Sequence, residues 1–102
     1  MIDLIEQHRA ELADLCRRYH VRTLEVFGSA ADGTFDPATS DLDFLVEFLP
    51  LQPGQLFDFF FDLKDGLQML FRRRVDLLMP RAIRNPYLLK AVNESRQVAY
   101  AA

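Results

Sequence analysis

The stretch Ser40-Asp41-Leu42-Asp43-Phe44-Leu45-Val46-Glu47-Phe48 decides the fold. It alternates polar and apolar residues at first, then turns almost wholly apolar, as a buried β-strand does. Successive strand side chains point to opposite faces, so Asp41 and Asp43 share a face, about 6.6 Å apart along the strand. Carboxylates at the mouth of a buried strand are costly to desolvate unless a cation or a set of donors compensates them. Mg²⁺ favours one or two carboxylates together with substrate phosphates. A plainer reading stays open, in which both acids precede the strand in a loop and Asp41 caps a turn.

Upstream, Val21 to Phe27 reads as a strand that stops at Gly28-Ser29. Glycine lets a phosphate approach the backbone, while the following N–H groups and the Ser29 hydroxyl can bond phosphate oxygens. The alternative is a strand-to-helix turn, with Ser29 capping a short helix over Ser29 to Asp32. Turn and cap formers continue through Asp32-Gly33, Asp36-Pro37, Thr39 and Ser40. Before the strand, Ile2, Ile5, Leu12, Leu15 and Cys16 recur at helical spacing, which predicts one amphipathic helix from Ile2 to about Tyr19.

Downstream, Pro50 and Pro53-Gly54 end the deciding strand. A helix follows from Leu56 to Phe71, with Leu56, Phe60, Leu63, Leu67 and Leu70 on one face and Asp58, Asp62 and Asp65 on another. Gly66 sits inside it at a cost of roughly 1 kcal/mol against Ala. Phe57 and Phe61 lie beside the apolar stripe, so this Phe-rich helix 56–71 either meets a partner or a second copy in a homo-oligomer, or packs on two sides within its own domain. Arg74 to Met79 is a third strand carrying one acid, Asp76. That acid faces solvent on an edge strand or, if its strand neighbours that of Asp41, completes a carboxylate triad. Asn85-Pro86 predicts a helix start, with Asn as cap and Pro at the first helical position, running to about Ser95. A last strand spans Gln97 to Tyr100. Strands separated by helices point to α/β layering around one sheet.

The chain of 102 residues has room for one domain. Half of it is hydrophobic, nine residues are Phe and none is Trp, which predicts an aliphatic and phenylalanine core. Met69 and Met79 read as core filling, and His8 and His20 as surface or capping residues. The net charge of −3 argues against direct nucleic-acid capture. The run Arg72-Arg73-Arg74 reads as a solvated loop or a nucleotide contact. The single cysteine, Cys16, excludes an intramolecular disulfide and reads as a buried helical thiol. Asp3 and Glu6 rule out a signal-peptide reading of the N-terminus. No apolar run approaches the ~20 residues of a membrane helix, so a cytoplasmic protein without membrane contact is expected.

Taken together, Phe27-Gly28-Ser29, Ser40-Asp41-Leu42-Asp43 and Val75-Asp76-Leu77 resemble the DNA polymerase β-type nucleotidyltransferase superfamily. More narrowly, they resemble the minimal nucleotidyltransferases that act as antitoxins to HEPN-domain toxins. The resemblance covers nearly the whole chain in element order. It implies a single nucleotidyltransferase domain over residues 1–102, of α/β (α+β) class, with a small mixed sheet flanked by helices. It implies a two-metal transfer in which Asp41 and Asp43 hold Mg²⁺ and through it the triphosphate of ATP. Asp76 would complete the second metal site, and Gly28 and Ser29 would cradle the distal phosphates. The acceptor implied is a tyrosine of the toxin, silenced by attached AMP. A binding-only antitoxin, masking the toxin by contact, is the alternative. Two departures from the family pattern stand out: Asp32 where many relatives carry a basic residue, and eleven residues from Ala30 to Ser40, one more than usual.

Overall fold

A computed structural model of the chain describes every residue except Met1, Gly33, Thr34 and Pro37, and only the backbone at Asp32. The turn roles of Gly33 and Pro37, and the direction of the Asp32 carboxylate, therefore lie outside the described residues.

The elements in chain order are α1 (Asp3–Gln7), α2 (Arg9–Arg18), β1 (Val21–Phe27), α3 (Ser29–Asp32), β2 (Leu42–Phe48), α4 (Gln55–Phe71), β3 (Val75–Leu78), a 3₁₀ turn (Pro80–Ala82), α5 (Pro86–Ser95) and β4 (Gln97–Ala101). The four strands form one sheet in the order β3-β2-β1-β4. It is mixed: β1 runs antiparallel to both β2 and β4, while β2 and β3 are parallel. A parallel pair needs a long crossover, and α4 supplies it.

The sheet has two unequal faces. On one, Leu24, Val26, Leu42, Phe44, Val46, Val75 and Leu77 pack against Ile5, Leu12 and Cys16 of α1 and α2 and against Leu63, Leu67 and Phe71 of α4. That is the main core. On the other, a smaller cluster of Phe27, Leu45 and Val92 sits beneath α5, with Leu78 and Ile83 against it. Asp43 belongs to this second, half-covered face, while Asp41 lies just before β2.

The expected strands and the Asn85 cap are found, except that β2 starts at Leu42 and leaves Asp41 in the loop before it, and β3 is shortened to Val75–Leu78. Asn85 Oδ1 accepts from the N–H groups of Tyr87 and Leu88 at 2.9 and 3.3 Å. Cys16 is fully buried, and desolvation pushes its thiol up to about 12, so it is inert as a nucleophile. Gly66 is where α4 meets α2: a Cβ built there would lie 2.7 Å from Leu15 Cδ1, so its helix-propensity cost is offset by close packing.

Three expectations are corrected. The first helix is two, because His8 leaves helical geometry (φ −113°, ψ 19°) and its Nδ1 bonds the Leu4 carbonyl at 2.8 Å. Met69 is 79% exposed rather than core, since it lies roughly 200° around the helix from Leu67. Leu56 is exposed although it continues the Leu63 stripe. The first turn of α4 overhangs the 3₁₀ turn, where Leu56 lines an open apolar groove with Leu78, Met79 and Ala82. No helix is long and apolar enough among the described residues to cross a membrane.

Candidate active site

The site forms where β1 ends and β2 and β3 begin. Strand register sets it: Phe27 lies opposite Asp43 in the antiparallel pair, and Asp43 lies beside Asp76 in the parallel pair. Neighbours in register share a face, so the carboxylates of Asp43 and Asp76 project from the same side, away from the main core. Asp76 is exposed and Asp43 half-buried. The sequence left open whether Asp76 sits on a bare edge or beside the Asp41 strand. Both hold, because β3 is an edge strand and its neighbour is β2.

The electrostatics follow from this crowding. Asp43 is raised to about 6 from an ordinary carboxylate value of 3.8. Desolvation by burial is the largest cause, followed by the hydrogen bond with Asp76, the charge of Asp76, and last the charge of Asp41. Asp43 and Asp76 therefore meet directly, while Asp41 reaches Asp43 through its charge alone. Among the described residues, no ion pair engages any of the three. The nearby pair on the same face is separate: Arg96 holds Glu25 with bonds of 2.8 and 2.6 Å.

Gly28 completes the corner. It has φ +68°, in the left-handed region that favours glycine, and a Cβ built on it would stand 2.6 Å from Asp43 Oδ2. Its carbonyl accepts from Ala31 N–H at 3.0 Å, which starts the one-turn helix α3. Ser29 is the first residue of that helix rather than a cap preceding it. The Gly28 N–H donates to Ser95 Oγ at 3.2 Å, and Ser95 donates in turn to the Ala91 carbonyl at 3.2 Å. No sequence pattern marks Ser95 as a partner of this turn, because α5 reaches it only through the tertiary fold.

The donor set suits a hard divalent cation. All three side chains offer carboxylate oxygens, their mutual repulsion has no described cation to relieve it, and a glycine opens the space beside Asp43. As the side chains lie, no three His, Cys, Asp or Glu residues among those described are gathered closely enough to enclose an ion. The Asp43–Asp76 pair is assembled, and Asp41 stands apart from it.

Comparison with known proteins gives the family of the chain. The model of the nucleotidyltransferase domain family matches residues 8–99. A relative from Methanocaldococcus jannaschii, named as a protein adenylyltransferase, is 37% identical over 90% of this chain and 87% of its own. The solved structure of a minimal nucleotidyltransferase superposes with a TM-score of 0.72 at 32% identity, covering 94% of this chain and 95% of that one. A complex of a tri-AMPylated Shewanella oneidensis HEPN toxin with its MNT antitoxin gives a TM-score of 0.63 at 16% identity, covering 96% and 73%, which is a likeness of fold. With the family's model spanning nine-tenths of its length, the chain belongs to the nucleotidyltransferase domain family and is a nucleotidyltransferase.

Proposed function

We propose that this protein is a Mg²⁺-dependent adenylyltransferase antitoxin that moves AMP from ATP to a tyrosine of a cognate HEPN toxin, acting as a single domain over residues 1–102. The observation that carries the reading is the Asp43–Asp76 pair, two carboxylates crowded side by side with no described counter-charge. The likeness to chains named as protein adenylyltransferases supports AMP as the group transferred. The likeness of fold to an antitoxin in complex with an AMPylated HEPN toxin supports a toxin of that kind as the protein modified.

In this reading the tyrosine oxygen attacks the α-phosphorus of ATP, and the bond to the β-phosphate oxygen breaks. The products are a tyrosyl-AMP ester and pyrophosphate, and the phenolic proton passes to a base. Asp41 and Asp43 would hold Mg²⁺, and Asp76 would complete a second site. The bound cations supply neutralisation of the triphosphate and a lowered pKa for the attacking hydroxyl. Asp76 is the most exposed of the three, so its carboxylate oxygens are the ones an incoming phenol reaches. Gly28 leaves space at the Asp43 carboxylate that any side chain would fill, and Ser29 at the start of α3 offers its hydroxyl to the distal phosphates. Use of ATP would suit a cytoplasmic setting, and the acidic net charge fits a protein rather than a nucleic-acid partner.

The test is direct. Labelled ATP, Mg²⁺ and the candidate toxin are mixed with wild type, Asp41→Asn and Asp43→Asn, and label on the toxin is counted. Either substitution should abolish transfer while the fold persists. Undiminished transfer in both would contradict the assigned roles.

A second reading, an antitoxin that masks the toxin by binding alone, is favoured by two observations. Asp41 stands apart from the other two carboxylates. Phe57 and Phe61 are 70% and 44% exposed on α4, with ring centroids 4.7 Å apart, an apolar surface suited to a protein partner or to a second copy of the chain. Suppression of toxicity that survives loss of all three aspartates would establish the binder. Sedimentation of Phe57→Ser against wild type reports whether that surface joins copies.

A further inference from the structure

The run Arg72-Arg73-Arg74, between α4 and β3, splits its duties. Arg73 turns inward. Its Nη1 donates to the Ser40 carbonyl at 3.3 Å, and its guanidinium carbon sits 5.0 Å from the centre of the Phe35 ring. Its Nε is buried and meets no acceptor among the described residues, and no carboxylate pairs with it there. The next residue continues the contact: the Arg74 carbonyl accepts from Leu42 N–H at 3.2 Å.

The Ser40 carbonyl belongs to the peptide unit before Asp41, and the Leu42 N–H to the peptide unit after it. Both peptide planes flanking Asp41 are thus tied to one dipeptide, Arg73-Arg74, which leads into β3 and Asp76. Ser40 is also fixed from its own side, with its N–H to the Asp36 carbonyl at 2.8 Å and its Oγ accepting from Asp36 N–H at 3.0 Å. A partly buried guanidinium without a carboxylate is a costly way to gain stability. Its described contacts, the Ser40 carbonyl and the Phe35 ring, both lie in the loop that delivers Asp41.

We propose that Arg73 is a positioning residue that sets the backbone of Asp41 and so fixes the point from which its carboxylate swings toward Asp43 and Asp76 for divalent-ion binding. The inference rests on the proposed function, and it gives the arginine run a role other than solvated loop or nucleotide contact. Arg73 need touch neither metal nor nucleotide. It acts as outer partners of metal ligands do, by fixing the orientation of a ligand.

The experiment uses the full chain and Mn²⁺ alone, titrated by electron paramagnetic resonance, with transfer to the toxin measured in parallel. Arg73→Met keeps the apolar stem and removes the donors and the charge. It should weaken Mn²⁺ binding about 10-fold, the scale of losing an outer-sphere partner, and raise KM for ATP, whose triphosphate Asp41 would hold through the ion, with transfer recovering at high Mn²⁺. Arg73→Lys, which retains a charged donor, should restore most of both. Phe35→Leu should fall between. If wild type binds Mn²⁺ and Arg73→Met binds it equally well in a folded state, the positioning role is overturned while the proposed function stands. If Arg73→Lys behaves as badly as Arg73→Met although both fold, the guanidinium-to-loop contact is not a matter of charge and donor, and the inference fails. Wild type that neither binds Mn²⁺ nor transfers AMP overturns the functional reading, and the positioning role with it.

Discussion

Gly28 and Asp43 stand so close that a single added methyl would displace the carboxylate: the Cβ position of Gly28 lies 2.6 Å from Asp43 Oδ2. The strand order makes this contact unavoidable, because Phe27 pairs with Asp43 and the chain turns at the next residue with φ +68°. Gly28→Ala therefore carries two penalties. The left-handed backbone alone costs about 1–2 kcal/mol for an L-residue, and the clash must push the Asp43 side chain aside. Urea unfolding should show the stability loss, and transfer activity should fall further than stability accounts for at temperatures where the variant is folded.

The proton on Asp43 gives a stability test with a defined sign. Folded, the carboxyl titrates at about 6, whereas unfolded it titrates near 3.8. Between those values the folded chain binds more protons, so stability falls as pH rises through this window and the loss is complete above about pH 6. Asp43→Asn removes the effect. At neutral pH without divalent ions it should be the more stable protein by roughly 1 kcal/mol, a figure discounted because water reaches half of the side chain. The advantage should vanish below the unfolded value. Paired urea melts at the two pH values check this, and a variant no more stable than wild type at neutral pH would remove the case for charge crowding at the site.

Much of this site was legible in the sequence because strands obey a period of two. Once the run to Phe48 reads as a strand, the outward face of Asp43 follows, and Asp76 joins it as soon as its strand becomes the neighbour of β2; Asp41 lies just before β2, where the period of two no longer places it. The helix faces were less legible. Leu56 keeps the spacing of Leu63 and Leu67, yet it is exposed because α4 begins before the core does, and periodicity carries no information about where a neighbour ends. His8 broke the first helix through a ring-to-carbonyl bond that ordinary propensity does not anticipate. Ser95, Arg73 and the Glu25–Arg96 pair depend on contacts far apart in the chain, so their roles appear only once the strands are ordered.

Two backbone positions offer stability without touching the chemistry. His20, just past α2, has φ 56°, and Arg72, just past α4, has φ 54°. Both occupy the left-handed position that ends helices and that glycine fills most easily. His20→Gly and Arg72→Gly should each stabilise the fold by about 0.5–1 kcal/mol. Arg72 precedes Arg73, so its replacement should raise the melting temperature with Mn²⁺ binding unaltered. His20 also loses an edge contact to Phe59, ring centroids 5.3 Å apart, so its gain should be the smaller.

Arg96 links the end of α5 to the sheet that carries the site. Its Nε and Nη2 reach the two oxygens of Glu25 at 2.8 and 2.6 Å, with both side chains largely shielded from water. The neighbouring Ser95 accepts from Gly28 N–H, so the ion pair also steadies the turn beside Asp43. The hydrogen bonds from Arg96, opposed by burial and aided by its charge, hold Glu25 below the ordinary carboxylate value of 4.5. A depressed value means stability that is present above 4.5 and lost as pH falls through the lower, folded value. Arg96→Met leaves a shielded carboxylate without its bidentate partner and should cost about 1–3 kcal/mol at neutral pH. Glu25→Gln with Arg96→Met should recover part of that loss, because no unpaired charge remains. A double-mutant cycle in urea measures the coupling, and a value near zero would mean that the pair contributes nothing to holding α5 over the turn.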